Sequence, residues 1–183
     1  MSVHNYSWSN LTLTLDNGKV LLDDVSGSIS ESGLYALMGP SGLRKTTLLN
    51  CLAFRSRPGN STLTGDIFIN EEEATLNKIK QLSSYVEQVD SLIGSLKVQE
   101  TVDYCAKFAG INPAHRKDLI EKTINSLGLA GQLNVKIGTP IQKGISGGQK
   151  RRVSIASQMI TSPSILFLDE PISGLDCRLK RSY

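Results

Sequence analysis

The sequence has 183 residues, of which 39% are hydrophobic and 20% are charged, and its formal net charge is +3. These values are typical of one ordinary globular domain and are too mild to argue for a nucleic-acid partner. Cys51, Cys105 and Cys177 form no C-x-x-C pair, which favours reduced thiols over disulfides or a zinc site. No apolar run is long enough to cross a bilayer and residues 1–10 have no signal-peptide core, so the sequence predicts neither a transmembrane segment nor a signal peptide.

The first third of the chain is predicted to alternate strands with turns. Residues 11–15 alternate leucine with threonine, which indicates a half-buried strand. Residues 16–18, Asp-Asn-Gly, form a turn signal before a second apolar run at 20–22. The apolar residues 34–38 lead into a glycine-rich turn, so we expect a buried strand there, and residues 65–69 predict another strand.

The segment from Gly39 to Thr47 has the composition of a phosphate-binding loop, followed by a helix predicted over residues 46–54. A glycine-rich turn between a strand and a helix presents backbone N–H groups to an anion, and the helix dipole adds favourable potential. In this pattern Lys45 reaches the β- and γ-phosphates of ATP, and the Thr46 hydroxyl ligates Mg²⁺. The alternative is a glycine turn that merely precedes a helix. The predicted nucleotide-binding residues are Gly39, Pro40, Ser41, Gly42, Leu43, Arg44, Lys45, Thr46 and Thr47.

Arg44 departs from the phosphate-loop pattern, which has glycine at this position. Glycine lets the backbone pass close to the phosphates without a Cβ in the way. The guanidinium could swing outward or contact a phosphate oxygen. Because the added charge acts only if the loop still forms, we expect the steric cost to dominate, so that nucleotide binding is weakened.

Residues 95–129 change to a helical period, with Pro113 as a start signal and Gly128 as a stop signal. We expect a mostly helical lobe inserted between the phosphate-loop half and the carboxylate half of one domain. The predicted parts of this single domain, 1–183, are the phosphate-loop part at 1–88, the helical lobe at 89–144 and the remainder at 145–183.

A second candidate anion site is the run Ser146 to Gln149, which opens a helix predicted to reach about Ile160. A serine hydroxyl and bare backbone N–H groups at a helix N-terminus can bind an anion. A simple capped helix start fits the same residues equally well. The following Lys150, Arg151 and Arg152 indicate a solvated or phosphate-facing helix start rather than a nucleic-acid contact.

An apolar strand predicted at residues 165–168 ends in two acids, Asp169 and Glu170. Asp169 suits a place near Mg²⁺, and Glu170 suits the general base that polarises an attacking water. Ordinary buried strands can end in the same way. Pro171 and the run Ser-Gly-Leu-Asp at residues 173–176 make a chance match less probable.

Together these motifs closely resemble the ATP-binding cassette of ABC transporters, and most of all the G subfamily, the White and pleiotropic-drug-resistance type. The resemblance extends from about Trp8 to Asp176. It implies an α/β P-loop NTPase fold with a RecA-like ABC ATPase core and an inserted helical lobe. It is carried by four runs: Ala36–Gly42, Tyr85–Gln88, Gly144–Ile155 and Asp169–Asp176.

The resemblance also implies roles for individual residues. Gln88 would sense Mg²⁺ and contact the membrane domain. Residues 146–149 would touch the γ-phosphate of ATP held by a partner cassette in a head-to-tail dimer, and Asp176 would lie in the segment that communicates across that dimer. The implied sets are Glu170 and Gln88 for catalysis, Thr46, Gln88 and Asp169 for the metal, and, with the phosphate loop, Ser146, Gly147, Gly148, Gln149 and Asp176 for the nucleotide.

The cofactors that the resemblance implies are ATP and Mg²⁺. The implied partners are a second cassette, in a homodimer or heterodimer, and the transmembrane domain of a transporter, with no nucleic acid. The chain would lie at the cytoplasmic face of a membrane, where ATP binding and hydrolysis would drive the export of small molecules. The alternative is a non-catalytic or inactive cassette that acts only as a partner-binding module.

Further departures from the family pattern put ATP hydrolysis in question. Phe54 replaces a glycine of the subfamily and Ile172 replaces a threonine, and both are expected to be tolerated. After Asp176 the resemblance ends, before the strand on which cassettes carry a switch histidine, and His4 and His115 precede the carboxylates. We therefore expect impaired hydrolysis, and a truncated cassette of poor solubility.

The resemblance also implies that this sheet is incomplete. In the fold class, the strand after the carboxylates lies between the phosphate-loop strand and the carboxylate strand. Residues 34–38 and 165–168 would therefore either close up on each other or leave open apolar edges, which are costly and prone to aggregation.

Overall fold

A computed structural model describes residues 3–171, which divide into two compact units with the boundary between Ser83 and Ser84. Each unit is described by itself. The predicted roles of Ile172 and Asp176 lie outside the described residues. Among the described residues, no helix combines the length and the apolar character needed to cross a membrane.

The first unit is built around an antiparallel sheet of four strands. The strands are β1 (Tyr6–Leu15), β2 (Val20–Ile29), β3 (Ser61–Ile69) and β4 (Glu72–Glu73). Their order is β2-β1-β3-β4, so the first strand in the chain lies inside the sheet and pairs with both β2 and β3.

The leucine–threonine alternation near the chain start is confirmed as the end of β1. Leu11 and Leu13 are fully buried while the threonines between and after them are half-buried, as one face of a pleated strand requires. The predicted turn is also present, with Gly18 at a φ of 79° and its N–H donating to the Leu15 carbonyl at 2.8 Å. Glycine adopts this left-handed conformation without strain, and the turn that it allows joins β1 to β2.

Two helices, α1 (Lys45–Leu52) and α2 (Leu76–Leu82), complete the first unit. Helix α1 begins and ends slightly earlier than predicted, and it buries Leu48, Cys51 and Leu52. The Tyr6 hydroxyl of β1 donates a hydrogen bond to the Leu52 carbonyl at the last turn of α1. Burial raises the pKa of the Tyr6 phenol and of the Cys51 thiol above their ordinary values.

The strand predicted at residues 34–38 is wrong. This segment has no strand conformation, and its apolar side chains are exposed, with Leu34 at 91% and Met38 at 86% of their full accessible area. A strand is stable only where neighbouring strands accept its hydrogen bonds, and no strand among residues 3–171 pairs with this one. The apolar composition of the segment therefore did not suffice to form a strand.

The second unit combines helices with a sheet of two strands. Its helices are α3 (Val98–Phe108), α4 (Pro113–Ser126), a short 3-10 helix (Ala130–Gln132) and α5 (Gly147–Met159). The strands β5 (Ser83–Val86) and β6 (Ile165–Leu168) pair with each other.

The predicted ends of the second-unit helices are confirmed by their capping groups. The Asn112 side chain caps α4 by accepting from the Ala114 N–H, Pro113 occupies the first turn, and Gly128 follows the helix at a φ of 63°.

The three long helices α3, α4 and α5 pack against one another around one shared apolar core. The residues of that core are Val98, Val102, Ala106, Ile120, Ile124, Leu129, Ile137, Ile145, Val153, Ala156 and Ile160.

Candidate functional site

The phosphate-loop residues of the first unit lead directly into the N-terminus of α1. The Lys45 ammonium donates hydrogen bonds to the carbonyls of Gly39, at 2.9 Å, and Pro40, at 3.0 Å. The loop from Gly39 to Arg44 is exposed. A lysine charge at the positive end of a helix dipole, beside an open loop, is an arrangement that attracts a multiply charged anion.

Arg44 is the residue immediately before α1, and its backbone is left-handed, with φ 57° and ψ 26°. Its side chain is exposed and makes no hydrogen bond that caps the helix. For a residue with a Cβ this conformation costs about 1–2 kcal/mol relative to the right-handed one, whereas glycine adopts it freely. The substitution for glycine therefore strains the loop backbone itself, in addition to placing a bulky side chain there.

Phe54 stands just after α1 and shows the same type of strain. It lies at a φ of 51°, and its N–H donates to the Cys51 carbonyl at 3.1 Å. This is the position after a helix C-terminus where glycine is preferred, and glycine is the residue of the subfamily pattern. Helix α1 is thus flanked on both sides by left-handed residues, Arg44 and Phe54, at positions where glycine was expected.

The first turn of α1 also holds the two threonines of the phosphate-loop motif. Thr46 is half-buried and Thr47 is buried. Both follow Lys45 directly, so the helix start fixes their backbone relative to the loop. Of these residues, Thr46 is the predicted magnesium ligand.

In the second unit, the two predicted catalytic residues are hydrogen-bonded to each other. The Gln88 Nε2 amide donates to the Glu170 Oε2 carboxylate oxygen at 2.7 Å, and both side chains are exposed. Glu170 has a φ of 43°, so it leaves the extended direction of β6. An amide donor aimed at a carboxylate fixes the orientation of that carboxylate.

Asp169 lies beside Glu170 but in a different environment. It is only 6% exposed, and its backbone N–H donates to the Val86 carbonyl of β5 at 3.0 Å. The Tyr85 hydroxyl donates to its Oδ2 atom at 3.4 Å, and the Tyr85 ring packs against the Phe167 ring. Of the two adjacent acids at the end of β6, Asp169 is therefore buried and Glu170 is exposed.

The start of α5 is a capping box, which confirms Ser146 as its N-cap. The Ser146 hydroxyl oxygen accepts from the Gln149 N–H at 3.2 Å, and the Gln149 Oε1 oxygen accepts from the Ser146 N–H at 2.8 Å. A hydroxyl that accepts in this way keeps its own proton to donate elsewhere. The capping interaction and an anion contact are therefore compatible.

The expectation of a solvated helix start at residues 150–152 is wrong for Arg151, while Lys150 and Arg152 are half-buried. Arg151 is only 3% exposed, Lys150 donates to the Gly138 carbonyl at 3.1 Å, and Arg152 donates to the Leu127 carbonyl at 3.1 Å. The physical reason is that α5 packs against α3 and α4 around the shared apolar core, so that none of its residues from Gly148 onward is exposed. The three cations therefore bind backbone oxygens of their own unit.

Sequence reasoning missed Arg151 and Asp90 as parts of this region. The Arg151 guanidinium donates to the Asp90 carboxylate at 3.1 Å and to the Asp169 carbonyl at 2.7 Å. Arg151 lies on the face of α5 opposite Val153, whose side chain is in the helical core. The one sequence signal for the contact between Arg151 and Asp90 is that Asp90 lies two residues after Gln88.

Comparison with known proteins gives a consistent result. Residues 22–173 match the family described as "ABC transporter". The chain is 40% identical over 178 residues to "ABC transporter G family member 1" of Petunia hybrida, covering 93% of this chain and 28% of that protein. It is 39% identical over 175 residues to "ABC transporter G family member 12" of Dictyostelium discoideum, covering 92% and 27%.

A third relative carries the older name of the subfamily. The chain is 39% identical over 174 residues to "Putative white-brown complex homolog protein 30" of Arabidopsis thaliana, covering 93% of this chain and 16% of that protein. The chain thus spans between about a sixth and a little over a quarter of the lengths of these relatives. It belongs to the ABC transporter family, as a nucleotide-binding cassette of the G-subfamily type with the α/β P-loop NTPase fold.

Proposed function

We propose that this chain binds Mg-ATP through its phosphate loop and serves as one cassette of an exporter. The observation that carries the proposal is the position of the Lys45 ammonium, which bridges the Gly39 and Pro40 carbonyls at the N-terminus of α1. A cation held there can exchange its carbonyl partners for phosphate oxygens without leaving the loop. The proposed nucleotide contacts are the nine loop residues from Gly39 to Thr47.

The proposed magnesium ligands are Thr46, Gln88 and Asp169. They offer hydroxyl, amide and carboxylate oxygens, which are the donors that Mg²⁺ prefers, and Mg²⁺ commonly takes its remaining ligands from phosphates and water. When bound, the ion would neutralise charge on the phosphates. This donor chemistry supports the assignment.

Glu170 is proposed as the general base for the attacking water and Gln88 as its partner. Their hydrogen bond supports this pairing, because the amide orients an exposed carboxylate oxygen while leaving the second oxygen available to water. The burial of Asp169 suits a different role, since a buried acid needs a fixed cationic or hydrogen-bonding partner.

Residues Ser146, Gly147, Gly148 and Gln149 are proposed to contact ATP held by a second cassette in a head-to-tail homodimer or heterodimer, with Asp176 in the adjoining segment. Support comes from the open surroundings of the helix start. A Cβ added to Gly147 would meet no atom within 4 Å, so packing among residues 3–171 does not require glycine there. Contact with a ligand or a partner is a reason to keep this backbone bare.

The remaining proposals follow from the relatives. We place the chain at the cytoplasmic face of a membrane, beside a transmembrane domain, where it powers the export of small molecules. In this assignment the chain is a single cassette with a RecA-like core, a phosphate-loop part at 1–88, an inserted helical lobe at 89–144, and a part at 145–183 that holds α5 and the strand β6 with its two acids.

Isothermal titration calorimetry of the 183-residue chain with Mg-ATP tests the nucleotide site. Lys45→Ala is expected to weaken binding at least about 10-fold, because a hydrogen bond to a charged group contributes about 1.5–3 kcal/mol. Lys19→Ala, an exposed lysine of the same unit, is the control and should leave the affinity unchanged. Equal affinities for Lys45→Ala and the unchanged chain would contradict the proposal.

A non-catalytic cassette is the second candidate, and the left-handed Arg44 favours it. Such a chain would contribute residues 146–149 to a partner's site without hydrolysing ATP in its own. ATP turnover, measured against Glu170→Gln, distinguishes the two functions. Turnover that Glu170→Gln abolishes supports the enzyme, and binding without turnover supports the partner module.

A further inference from the structure

The guanidinium of Arg151 connects two separate backbone segments of the second unit. On one side its Nη1 atom donates to the carbonyls of Glu87 and Gln88, the latter at 3.5 Å. On the other side its Nη2 atom donates to the Asp169 carbonyl at 2.7 Å and its Nε atom to the Pro171 carbonyl at 3.2 Å. All of these acceptors are main-chain oxygens.

These two segments carry the side chains of the proposed catalytic pair. Gln88 supplies one of the accepting carbonyls itself, and Glu170 lies between the two accepting residues of the other segment. The Gln88–Glu170 hydrogen bond of 2.7 Å is therefore formed between the two segments that Arg151 connects.

The charge of Arg151 has a partner in the same region. Its Nη1 atom is 3.1 Å from the Asp90 Oδ1 atom, and Asp90 is two residues beyond Gln88. Arg151 is 3% exposed, so this pair is shielded from solvent on the arginine side. A planar guanidinium with donors in a fixed fork is suited to hold several acceptors at once, which a lysine ammonium cannot reproduce.

We propose that Arg151 is a positioning residue that fixes the Gln88 segment against the Glu170 segment and so holds the Gln88 amide on the Glu170 carboxylate. The inference rests on the proposed function in that Gln88 and Glu170 are its working groups. Within residues 3–171, Arg151 donates no hydrogen bond to either of their side chains, and it acts through the backbone. Outer-shell groups that orient metal ligands contribute on the order of 10- to 100-fold to activity, and we expect an effect of the same order from Arg151.

The neighbouring Arg152 provides a matched control on the same helix. It too donates to backbone carbonyls, those of Leu127, Gly128 and Gly148, but these lie away from the Gln88 and Glu170 segments. An Arg→Met substitution at either position removes a guanidinium from the same helix. A purely structural role for Arg151 therefore predicts the same kind of effect for both variants.

The first experiment is hydrogen–deuterium exchange of the nucleotide-free 183-residue chain, followed by mass spectrometry. Arg151→Met is expected to accelerate exchange on the order of 10-fold in peptides covering residues 85–92 and 166–171, because hydrogen bonds from a charged donor are lost there. Arg152→Met should instead accelerate exchange around residues 125–129. If both variants change the same peptides, or if Arg151→Met changes only α5, the proposal is overturned.

The second experiment follows the Gln88 side-chain amide by ¹⁵N NMR, a signal that a general loss of stability would not move selectively. In a chain that keeps Arg151, Glu170→Ala removes the acceptor and should shift the Gln88 amide resonance. The same substitution should produce little shift in the Arg151→Lys background, because the amide no longer rests on Glu170. An equal shift in both backgrounds would show that Arg151 does not position Gln88.

The unchanged chain gives a further measurement in case Arg151→Met does not fold. The Arg151 Nε–H donates to the Pro171 carbonyl and is buried, so its resonance should exchange with water much more slowly than those of exposed arginines such as Arg44. Fast exchange would overturn the proposal. None of these readouts requires ATP, so a failure of the proposed function would be seen separately, in the calorimetry.

Discussion

The Gln88 amide donates to the Glu170 carboxylate at 2.7 Å, joining the residue two positions after β5 to the residue two positions after β6. The hydrogen bond holds an exposed acid in a defined direction. Glu170 is therefore oriented by Gln88.

The first prediction concerns the charge of Glu170. Glu170→Gln removes the carboxylate but keeps the size of the side chain, so Mg-ATP affinity should remain within about 3-fold of the unchanged chain. Turnover should fall by about 10²–10⁴-fold, the usual contribution of a general base. Phosphate release and calorimetry measure the two quantities. If affinity falls as much as turnover, Glu170 binds nucleotide rather than activating water.

The second prediction concerns the strain at Arg44. Arg44→Gly relieves a left-handed backbone worth about 1–2 kcal/mol and loses part of this gain to the greater freedom of glycine in the unfolded chain, so we expect a net stabilisation of about 0.5–1 kcal/mol. Arg44→Ala keeps the Cβ and should gain nothing. Denaturant unfolding followed by Trp8, the single tryptophan of the chain, reports on the first unit. Equal stabilities for the Gly and Ala variants would exclude backbone strain as the cause.

The third prediction concerns Tyr6, whose hydroxyl donates to the Leu52 carbonyl. Tyr6→Phe should lower the free energy of unfolding of the first unit by about 1–2 kcal/mol at neutral pH, because a buried carbonyl loses its donor. Tyr35→Phe is the control, since the Tyr35 hydroxyl donates to the Glu31 carbonyl at an exposed site.

The same phenol gives a pH dependence with a defined sign. Burial raises the pKa of Tyr6 in the folded chain, so below about pH 10, the pKa of an unperturbed tyrosine, the phenol is neutral in both states and its contribution is fully present. Above about pH 10 the unfolded phenol ionises first and this contribution is lost as the pH rises. The stability difference between the unchanged chain and Tyr6→Phe should therefore shrink above pH 10. A difference that stays constant would contradict the assignment.

The fourth prediction separates the capping role of Ser146 from its proposed partner contact. Ser146→Ala should cost about 0.5–2 kcal/mol of stability through the lost N-cap. Thr75→Ala removes an equivalent cap, because the Thr75 side chain accepts from the Lys78 N–H at the start of α2. Only Ser146→Ala should also weaken ATP-dependent association, measured by sedimentation in the Glu170→Gln background. If both variants or neither affect association, Ser146 has no role beyond its cap.

Local signals in the sequence predicted the local structure well. The alternation at residues 11–15, the turn at Gly18, the Asn-Pro start of α4 and the Ser146 cap each depend on residues close in the chain, and each is present. The predicted pair of acids at the end of β6 was also found next to Gln88. The sequence motifs sufficed to predict this pair because β5 and β6 are paired, and Gln88 and Glu170 each stand two residues after the end of one of these strands.

The errors concern features that depend on distant parts of the chain. Residues 34–38 have the composition of a buried strand, but a strand needs pairing partners and sequence composition does not supply them. Arg151 belongs to a polar run that is typical of a solvated helix start, but the packing of α5 leaves its side chain only 3% exposed. Burial of a charged residue can be anticipated only when its acceptors are known. Some acceptors of Arg151 come from a segment more than 60 positions earlier, and others lie 18 and 20 positions later.

The central claim, that the loop from Gly39 to Thr47 binds nucleotide and that Arg44 weakens it, is tested most directly by Mg-ATP calorimetry of the unchanged chain and Arg44→Gly. We expect saturable binding by both, about 5-fold tighter for Arg44→Gly, because glycine lets the loop backbone approach the phosphates without a Cβ in the way; a 5-fold change corresponds to about 1 kcal/mol. Absence of measurable ATP uptake in both chains, under conditions in which Trp8 fluorescence reports a folded first unit, would contradict the account.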